Sequence, residues 1–467
     1  MRKLYWYLTG FAKKHGLVFL LSIVGAITVF SIFIPTLVSS LEFKKRNYVG
    51  LVGNYTIDNL PWEITEKLSA GLTTINEDGS VSPLLSQRWS IEQDGKTYRF
   101  ILKENIYWRD GKKLEPQDIK YNFENVETII TPSDIVFKLP DSYAPFPTVV
   151  SEPIIRKEDV KYNVFFSRPM LIGIGKYKMT NYQTKGQRIT EVILDSKNDR
   201  YIYRFYLTEN DAIIAFKQGE VDNLPNLSKE HDIFNWPNIN LTTTLDSNKY
   251  LAVFFNIRNS FFSKNIRQAL SYAVENPNDE TGAYGPISPK SWAYLPAGKA
   301  YEKDLERAIE RLLDEVPQTK MDLELTTTSM FEPEAEKIKG EWEELGRRAF
   351  DGCISSSNVS NKAICENIKI NVSLRISNFP DTNNFQLMLI GQKSPPDPDQ
   401  YYLWHSEQST NFTGYKNTRI DNLLEKGRKT VDQKERKEIY QEFQQFFLED
   451  APAIFIKHLY SYEVSRK

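Results

Sequence analysis

The side chains that most often carry chemistry are sparse in this chain. Its 467 residues include four histidines, His15, His231, His405 and His458, scattered far apart, and two cysteines, Cys353 and Cys365, that form no CxxC pair. Metal clusters need several such ligands at short, regular spacing, so no dedicated metal cage is expected. The two cysteines can close a surface loop if the body lies outside the cytoplasm, or stay as free thiols. No GxSxG, HExxH, Walker loop or GxGxxG occurs. Nothing marks two of the many carboxylates as an acid–base couple. The residue types point to binding rather than catalysis, and no cofactor is called for.

The composition narrows what is bound. Aromatic residues are abundant, with 25 Tyr, 27 Phe and 8 Trp. A tyrosine ring packs while its hydroxyl still finds a partner, which suits a wide wet cleft; most of these rings are nonetheless expected in cores. A net charge of −2 argues against a nucleic-acid partner, which requires a basic face to neutralise phosphates. The length exceeds one ordinary core and predicts two or three domains.

The first element is a membrane-spanning candidate. Leu17 to Val38 reads LVFLLSIVGAITVFSIFIPTLV without a charge, and as a helix it covers ~33 Å, enough to cross a bilayer. It is longer than the apolar part of a cleavable signal peptide, although Val38-Ser39-Ser40 offers small residues for cleavage. No cysteine near its end provides for a lipid anchor. Arg2, Lys3, Lys13 and Lys14 precede it, and Lys44, Lys45 and Arg46 follow it, so charge favours a cytoplasmic N-terminus only slightly. The expected order is a cytoplasmic tail at 1–16, a transmembrane helix at 17–38, a linker at 39–47 and an extracytoplasmic body.

The body alternates strand clusters with helix–strand units, which predicts a mixed α/β (α+β) fold. Trp89–Glu92 and Thr97–Leu102 flank Gln93-Asp94-Gly95-Lys96 and read as a hairpin. A helical step is expected at Pro83-Leu84-Leu85, and a helix from Pro116 to Asn125 opened by Glu115 and Asp118. Residues 209–219 form an amphipathic helix ended by Gly219. Strands are expected at 250–256, 323–327, 368–376, 385–390 and 452–456, and helices at 263–273, 303–313, 334–345, 419–429 and 433–448. The charge runs Glu332 to Glu344 and Lys426 to Lys437 read as solvated helix faces.

In this order the chain carries Gly71-Leu72-Thr73, Asn76-Glu77-Asp78-Gly79, Asp94-Gly95-Lys96-Thr97-Tyr98-Arg99-Phe100 and Trp108-Arg109-Asp110-Gly111. Gly173-Ile174-Gly175-Lys176-Tyr177, Gly219-Glu220-Val221-Asp222 and Phe262 to Leu270 follow, then Pro396-Asp397-Pro398-Asp399, Asn411 to Tyr415 and Ile420 to Leu424. With these the sequence resembles the family 5 extracellular solute-binding proteins of ABC importers, which include oligopeptide, dipeptide and nickel binders. The resemblance runs from about residue 50 to 467. It implies a two-lobed, type II periplasmic-binding-protein-like fold closing on a solute. Lobe I would comprise 48–60, 151–249 and 446–467, an extra subdomain 61–150, and lobe II 250–445. It also implies peptides or similar small solutes as ligands, ABC permease and ATPase subunits as partners, and a monomer. A membrane-tethered sensor without transport, or a nickel or haem binder of the same family, are the alternative readings.

Peptide binders of this family pair the ligand backbone by strand addition. The resemblance puts Gln392, Lys393 and Ser394 at the ligand-facing strand, where relatives carry an aspartate that pairs with the peptide amine. Here Ser394 or Pro395 stands at that position, and Asp397 is the substitute, unless it caps an Asp-Pro turn. Prolines 395 and 396 lack the N–H that strand pairing uses. Tyr402 and Trp404 offer rings for stacking, and His405 reads as a surface or capping residue. Trp62 is a pocket-lining candidate, Tyr250 a hinge or cleft candidate, and Asn411 and Tyr415 sit on a loop that reaches the cleft in relatives.

Overall fold

Two strands much longer than their neighbours decide the architecture. The computed structural model describes residues 2–40, 44–92, 95–161, 167–356 and 362–467. Its main sheet contains β1 (Lys45–Val52), β2 (Lys178–Lys185), β3 (Arg188–Asp195), β4 (Asp199–Tyr206), β5 (Asn223–Leu227), β6 (Ile239–Phe255), β7 (Met321–Thr327), β8 (Ile370–Ile376), β9 (Leu387–Lys393) and β10 (Ala453–Arg466). Their spatial order is β2-β3-β4-β1-β5-β10-β6-β9-β7-β8. β6 and β10 pair antiparallel from Ile239↔Arg466 to Phe254↔Ala453, and the register slips between Asp246 and Tyr250.

The two halves of this pair serve different cores. On one side of the slip, Ile239 and Val464 pack with Leu224 and with Ala212 and Phe216 of the helix Glu209–Gln218. That helix stops at Gly219, whose φ of +80° ends it as expected. On the other side, Leu251, Val253 and Phe255 face the helices Lys264–Ala273 and Glu332–Ser356. The alternate residues Tyr250, Ala252 and Phe254 face the helices Thr418–Lys429 and Gln433–Asp450. A strand with apolar residues on both faces is covered by helices on both faces. The chain therefore crosses between two lobes along β6 at Ser247–Lys249 and returns along β10 at His458–Leu459.

A third unit has its own core. The strands Ser86–Glu92, Thr97–Leu102, Asp134–Lys138 and Glu127–Ile130 form an antiparallel sheet. It encloses Tyr98, Phe100, Trp108, Phe137 and Phe146. The expected hairpin is present here, its residues 93–94 lying outside those described, as do residues 41–43 of the expected linker.

Several local expectations are corrected. Val81–Pro83 is a strand paired with Thr73–Ile75, so the segment at Pro83 is not helical. Pro116 to Asp118 makes one 3-10 turn with a Glu115/Asp118 capping box and goes no further. Asn125 there sits at a φ of +58°, which a helix does not use. Residues 446–458, grouped with lobe I in the sequence, bury Phe447, Leu448, Ile454, Phe455 and Ile456 in the lobe II clusters. Ile64 and Leu68, grouped with the extra subdomain, pack in the lobe I core. Long-range burial decides these boundaries, and local patterning does not carry it.

The apolar N-terminal run lies within a single helix, α1 (Arg2–Ser40), bent at His15. Between Lys13 and Ser31 none of it is buried against the rest of the molecule. Cys353 and Cys365 form a disulfide with Cα atoms 5.8 Å apart, joining the end of the helix Glu332–Ser356 to the approach to β8.

Two predictions follow from the frame. His458 is buried at the return crossing, where its Nδ1 lies 3.3 Å from the Lys249 carbonyl oxygen. Burial holds its pKa below 6.5, against the Lys249 carbonyl and Asp246. The unfolded chain then takes up the proton first, so stability is full above about pH 6.5 and falls as pH drops through the folded value. Thermal melts between about pH 7.5 and about pH 5 should show a smaller acid loss in His458→Gln than in the native chain. Replacing Cys353 and Cys365 together by Ser should cost about 3 kcal/mol in urea unfolding, because the bond constrains the unfolded loop.

Candidate functional site

All three units contribute walls to one cavity of about 470 Å³. From lobe I comes Trp62, at the start of the helix Trp62–Leu68. From the extra subdomain comes the turn Asn76–Gly79, and from the crossing comes Asn248. Lobe II supplies Ile287, Ser288 and Ser291, then Lys393, Pro395, Pro396, Pro398 and Gln400. A second hollow of about 450 Å³ lies alongside, bounded by Thr244 to Asn248, Asn226, Ser461, Glu463 and Lys290. Glu77 and Asn248 border both.

The subdomain wall is a tight turn docked onto lobe II. Gly79 donates to the Asn76 carbonyl at 3.0 Å and has a φ of +78°. A side chain there would also strike the Pro396 carbonyl oxygen, so both conformation and close approach require glycine. Asp78 accepts from the Ser80 amide at 2.9 Å and hydroxyl at 2.6 Å, which holds its carboxyl below the usual range. The Asp78 carbonyl accepts from the Trp292 amide at 2.9 Å, tying the turn to the opposite lobe.

The lobe II wall is held from behind by buried ion pairs. Asp397 receives two hydrogen bonds from Arg436, at 2.5 and 2.7 Å. Burial alone would lower the guanidinium pKa, but Asp397 holds it above its ordinary value. Asp399 pairs with Arg428 at 3.0 Å and accepts from the Tyr401 amide at 3.0 Å. Burial still raises its carboxyl above the usual range. Arg428 also lies against the rings of Tyr401 at 4.2 Å and Tyr143 at 4.9 Å. Beside it the two units touch directly: Ala144 donates to the Arg428 carbonyl at 2.6 Å, and Ser142 to the Lys429 carbonyl at 2.8 Å. The cleft is closed along this seam.

Ten residues were expected at the ligand, and the structure brings two of them, Trp62 and Lys393, to the cavity. Trp62 is 53% exposed, and Lys393 is exposed. Gln392 and Tyr402 pair with each other nearby, and Tyr402 is 41% exposed, its phenol raised by partial burial. The other six are structural. Ser394 is buried, donating to the Pro286 carbonyl at 2.8 Å and, through its amide, to Asn248 at 2.7 Å. Asp397 is spent on Arg436. Tyr250 is buried against Phe455, with ring centroids 5.1 Å apart. Trp404 is buried between Phe254 and Phe447, at 6.0 and 4.6 Å. Asn411 braces its own loop through the His405 and Tyr415 carbonyls, and the Tyr415 hydroxyl donates to Asp450 at 2.7 Å. His405, expected at the surface, is buried with Nε2 3.3 Å from Glu425.

Sequence reasoning missed Glu77, Asn248, Ser288 and Gln400 at the cavity. It also missed Arg428 and Arg436, which point inward from a charge run taken as solvated. The i, i+3, i+4, i+7 spacing of Ile420, Leu423, Leu424 and Gly427 is the available signal, because Arg428, four residues after Leu424, continues that buried stripe. Among the described residues no group of three His, Cys, Asp or Glu is placed to hold a metal ion.

Comparison with known proteins assigns this architecture. Residues 80–414 match the model of the bacterial extracellular solute-binding proteins, family 5 Middle. The oligopeptide-binding protein AppA of Bacillus subtilis is 24% identical over 502 residues, covering 92% of this chain and 86% of AppA. The substrate-binding protein CtaP of an ABC transporter of Listeria monocytogenes superposes with a TM-score of 0.71 at 22% identity, over 91% of this chain and 94% of that one. NikZ of Campylobacter jejuni, solved with Ni(L-His), gives a TM-score of 0.68 at 22% identity with the same coverage. The fold is thus the two-lobed fold of these binding proteins, and the chain belongs to the bacterial extracellular solute-binding proteins of family 5.

Proposed function

We propose that the protein captures short peptides in the cavity between its lobes and delivers them to the permease and ATPase of an ABC importer. The observation that carries this reading is the composition of the cavity wall. Trp62, Glu77, Asn248, Lys393 and Gln400 come from both lobes, the subdomain and the crossing, so a guest there contacts every part that must close. A solute bridging mobile parts favours the closed state in proportion to its contacts on both sides. Carboxylates (Glu77, Asp78), an ammonium (Lys393) and an indole ring (Trp62) together suit a zwitterion with an apolar body. The relatives named for oligopeptides favour peptides over other solutes. The protein acts as a binder and not as an enzyme.

In the same reading α1 anchors the protein, with its N-terminus in the cytoplasm and its body outside. An apolar helix that nothing in the molecule covers is at home in lipid, and a disulfide persists in an oxidising compartment.

Native mass spectrometry of the full chain, extracted without refolding, should reveal co-purified short peptides; a sugar or a metal chelate found reproducibly instead would contradict the assignment. Trp62→Ala should leave the melting temperature nearly unchanged, because the ring is exposed, while weakening peptide binding by about tenfold. After alkaline extraction the full chain should stay with the membranes, and a chain beginning at residue 44 should be released.

A further inference from the structure

One end of the main sheet gathers charge that the fold does not use. β1 enters there at Lys45, beside Asp199 at the start of β4, and β2 begins there at Lys178, opposite Asp195 at the end of β3. β10 ends and β6 begins at the same end, where Arg466 faces Ile239. The carboxylates at this end are already spent. Asp195 holds Lys44 at 3.4 Å and Arg200 at 2.7 Å, Asp199 holds Lys176 at 3.2 Å, and Asp222 holds Arg466 at 3.5 Å. Glu220 lies 3.9 Å from Arg204. Lys45, Arg46, Lys178, Lys197, Lys217 and Lys467 are exposed and form no ion pair among the described residues. A chain of net charge −2 thus presents a strongly cationic end.

Two further observations say what lies against it. The first is the tether. α1 ends at Ser40 and β1 starts at Lys45, and the chain between them reaches at most about 18 Å. Nothing in the molecule covers α1, so the lipid that takes the helix lies within that reach of this end of the sheet. The strands lead away from it: β6 runs from Ile239 here to Asn248 at the cavity, about 30 Å along the strand. The second is Trp236, which is 39% exposed just after the turn Asp232–Asn235. The Lys217 ammonium lies 5.8 Å from its ring, and the Lys467 ammonium donates to the Pro237 carbonyl at 2.6 Å. An indole framed by lysines suits the headgroup layer, where the ring is half wet and the ammonium meets phosphate.

Resting on the anchored reading above, we propose that this cationic end of lobe I docks on anionic lipid headgroups of the membrane that holds α1. The short tether keeps the end at high effective concentration over the lipid. Unpaired lysines then hold it there, through an attraction that fades beyond about 8 Å at physiological salt. Lobe I stands on the lipid and lobe II is carried away from it, with the cavity about 30 Å above the headgroups. Charge, and not the tether alone, sets the height and orientation of the solute site.

The test uses the full chain in nanodiscs of phosphatidylcholine, alone or with about 30% phosphatidylglycerol, at about 50 mM and about 500 mM salt. A fluorophore on Asn198→Cys, between β3 and β4, is quenched by spin-labelled headgroups, and one on Lys434→Cys in lobe II is the reference. The native cysteines are bonded to each other and leave the label selective. Phosphatidylglycerol should raise quenching at Asn198→Cys at least about threefold at low salt, and high salt should remove the gain. The reference site should not change. Replacing Lys45, Arg46, Lys178, Lys197, Lys217 and Lys467 together by Gln should abolish the gain and leave the melting temperature unchanged, because all six are exposed and unpaired. Should that variant fail to fold, Lys178→Gln, Lys197→Gln and Lys217→Gln together should at least halve the gain. Equal quenching in the two lipids, or a gain undiminished in a folded Gln variant, overturns the docking surface and leaves a body that is only tethered. A chain that stays with neither disc overturns the anchored reading itself.

Discussion

The structure depends on one constraint: two neighbouring strands must each be hydrogen-bonded along their length while serving two separate cores. β6 and β10 satisfy it by pairing with each other on both sides of a break between Asp246 and Tyr250, with a second register shift at Leu251/Ala252. A buried backbone that left its ladder elsewhere would strand donors and acceptors. Both crossings between the lobes are therefore confined to one narrow place, and Ser247, Asn248 and Lys249 sit there. The cavity opens beside that place, so the crossing is also part of the cavity wall: the Asn248 carbonyl holds the Ser394 amide at 2.7 Å at the head of the proline wall. Two short crossings with cores on either side are the geometry of a hinge.

The second feature is the rigidity of the lobe II wall. Prolines at 395, 396 and 398 restrict its backbone, and Asp397–Arg436 and Asp399–Arg428 clamp it from behind. Desolvation offsets much of the attraction in a buried pair, so such pairs are better at fixing geometry than at adding stability. Arg428 extends this clamp to the seam, where its ring contact with Tyr143 and its carbonyl bond to Ala144 join lobe II to the extra subdomain. The cavity wall and the contact between lobe II and the extra subdomain thus share one arginine.

Much of the fold was legible in the sequence because it is written in local signals. The Asp-Gly hairpin, the Gly219 stop, the helices after Ser263 and before Pro452, and the ordered family motifs all depend on near neighbours. The boundaries were not legible for a physical reason. β6 runs through Thr242, Thr243 and Thr244, which look like surface, and earns its strand state from β10 more than two hundred residues away. The site was legible only in outline. Trp62 and Lys393 line the cavity, but Tyr250, Trp404, Asn411 and Tyr415 turn inward, since an aromatic or amide in a family loop carries no sign of which face it takes. Gln400 was passed over because its place beside the cavity is a tertiary fact that no local pattern carries.

The central claim is that solute capture and lobe closure are one event. Its most direct test is the distance across the seam, measured by pulsed electron resonance on the full chain with spin labels at Asp141→Cys and Lys434→Cys, both exposed. The native cysteines are bonded to each other and leave the labels selective. The account predicts a broad distribution without solute that narrows to its short-distance end when the co-purifying solute is restored. A distribution that stays the same while the solute binds would contradict it.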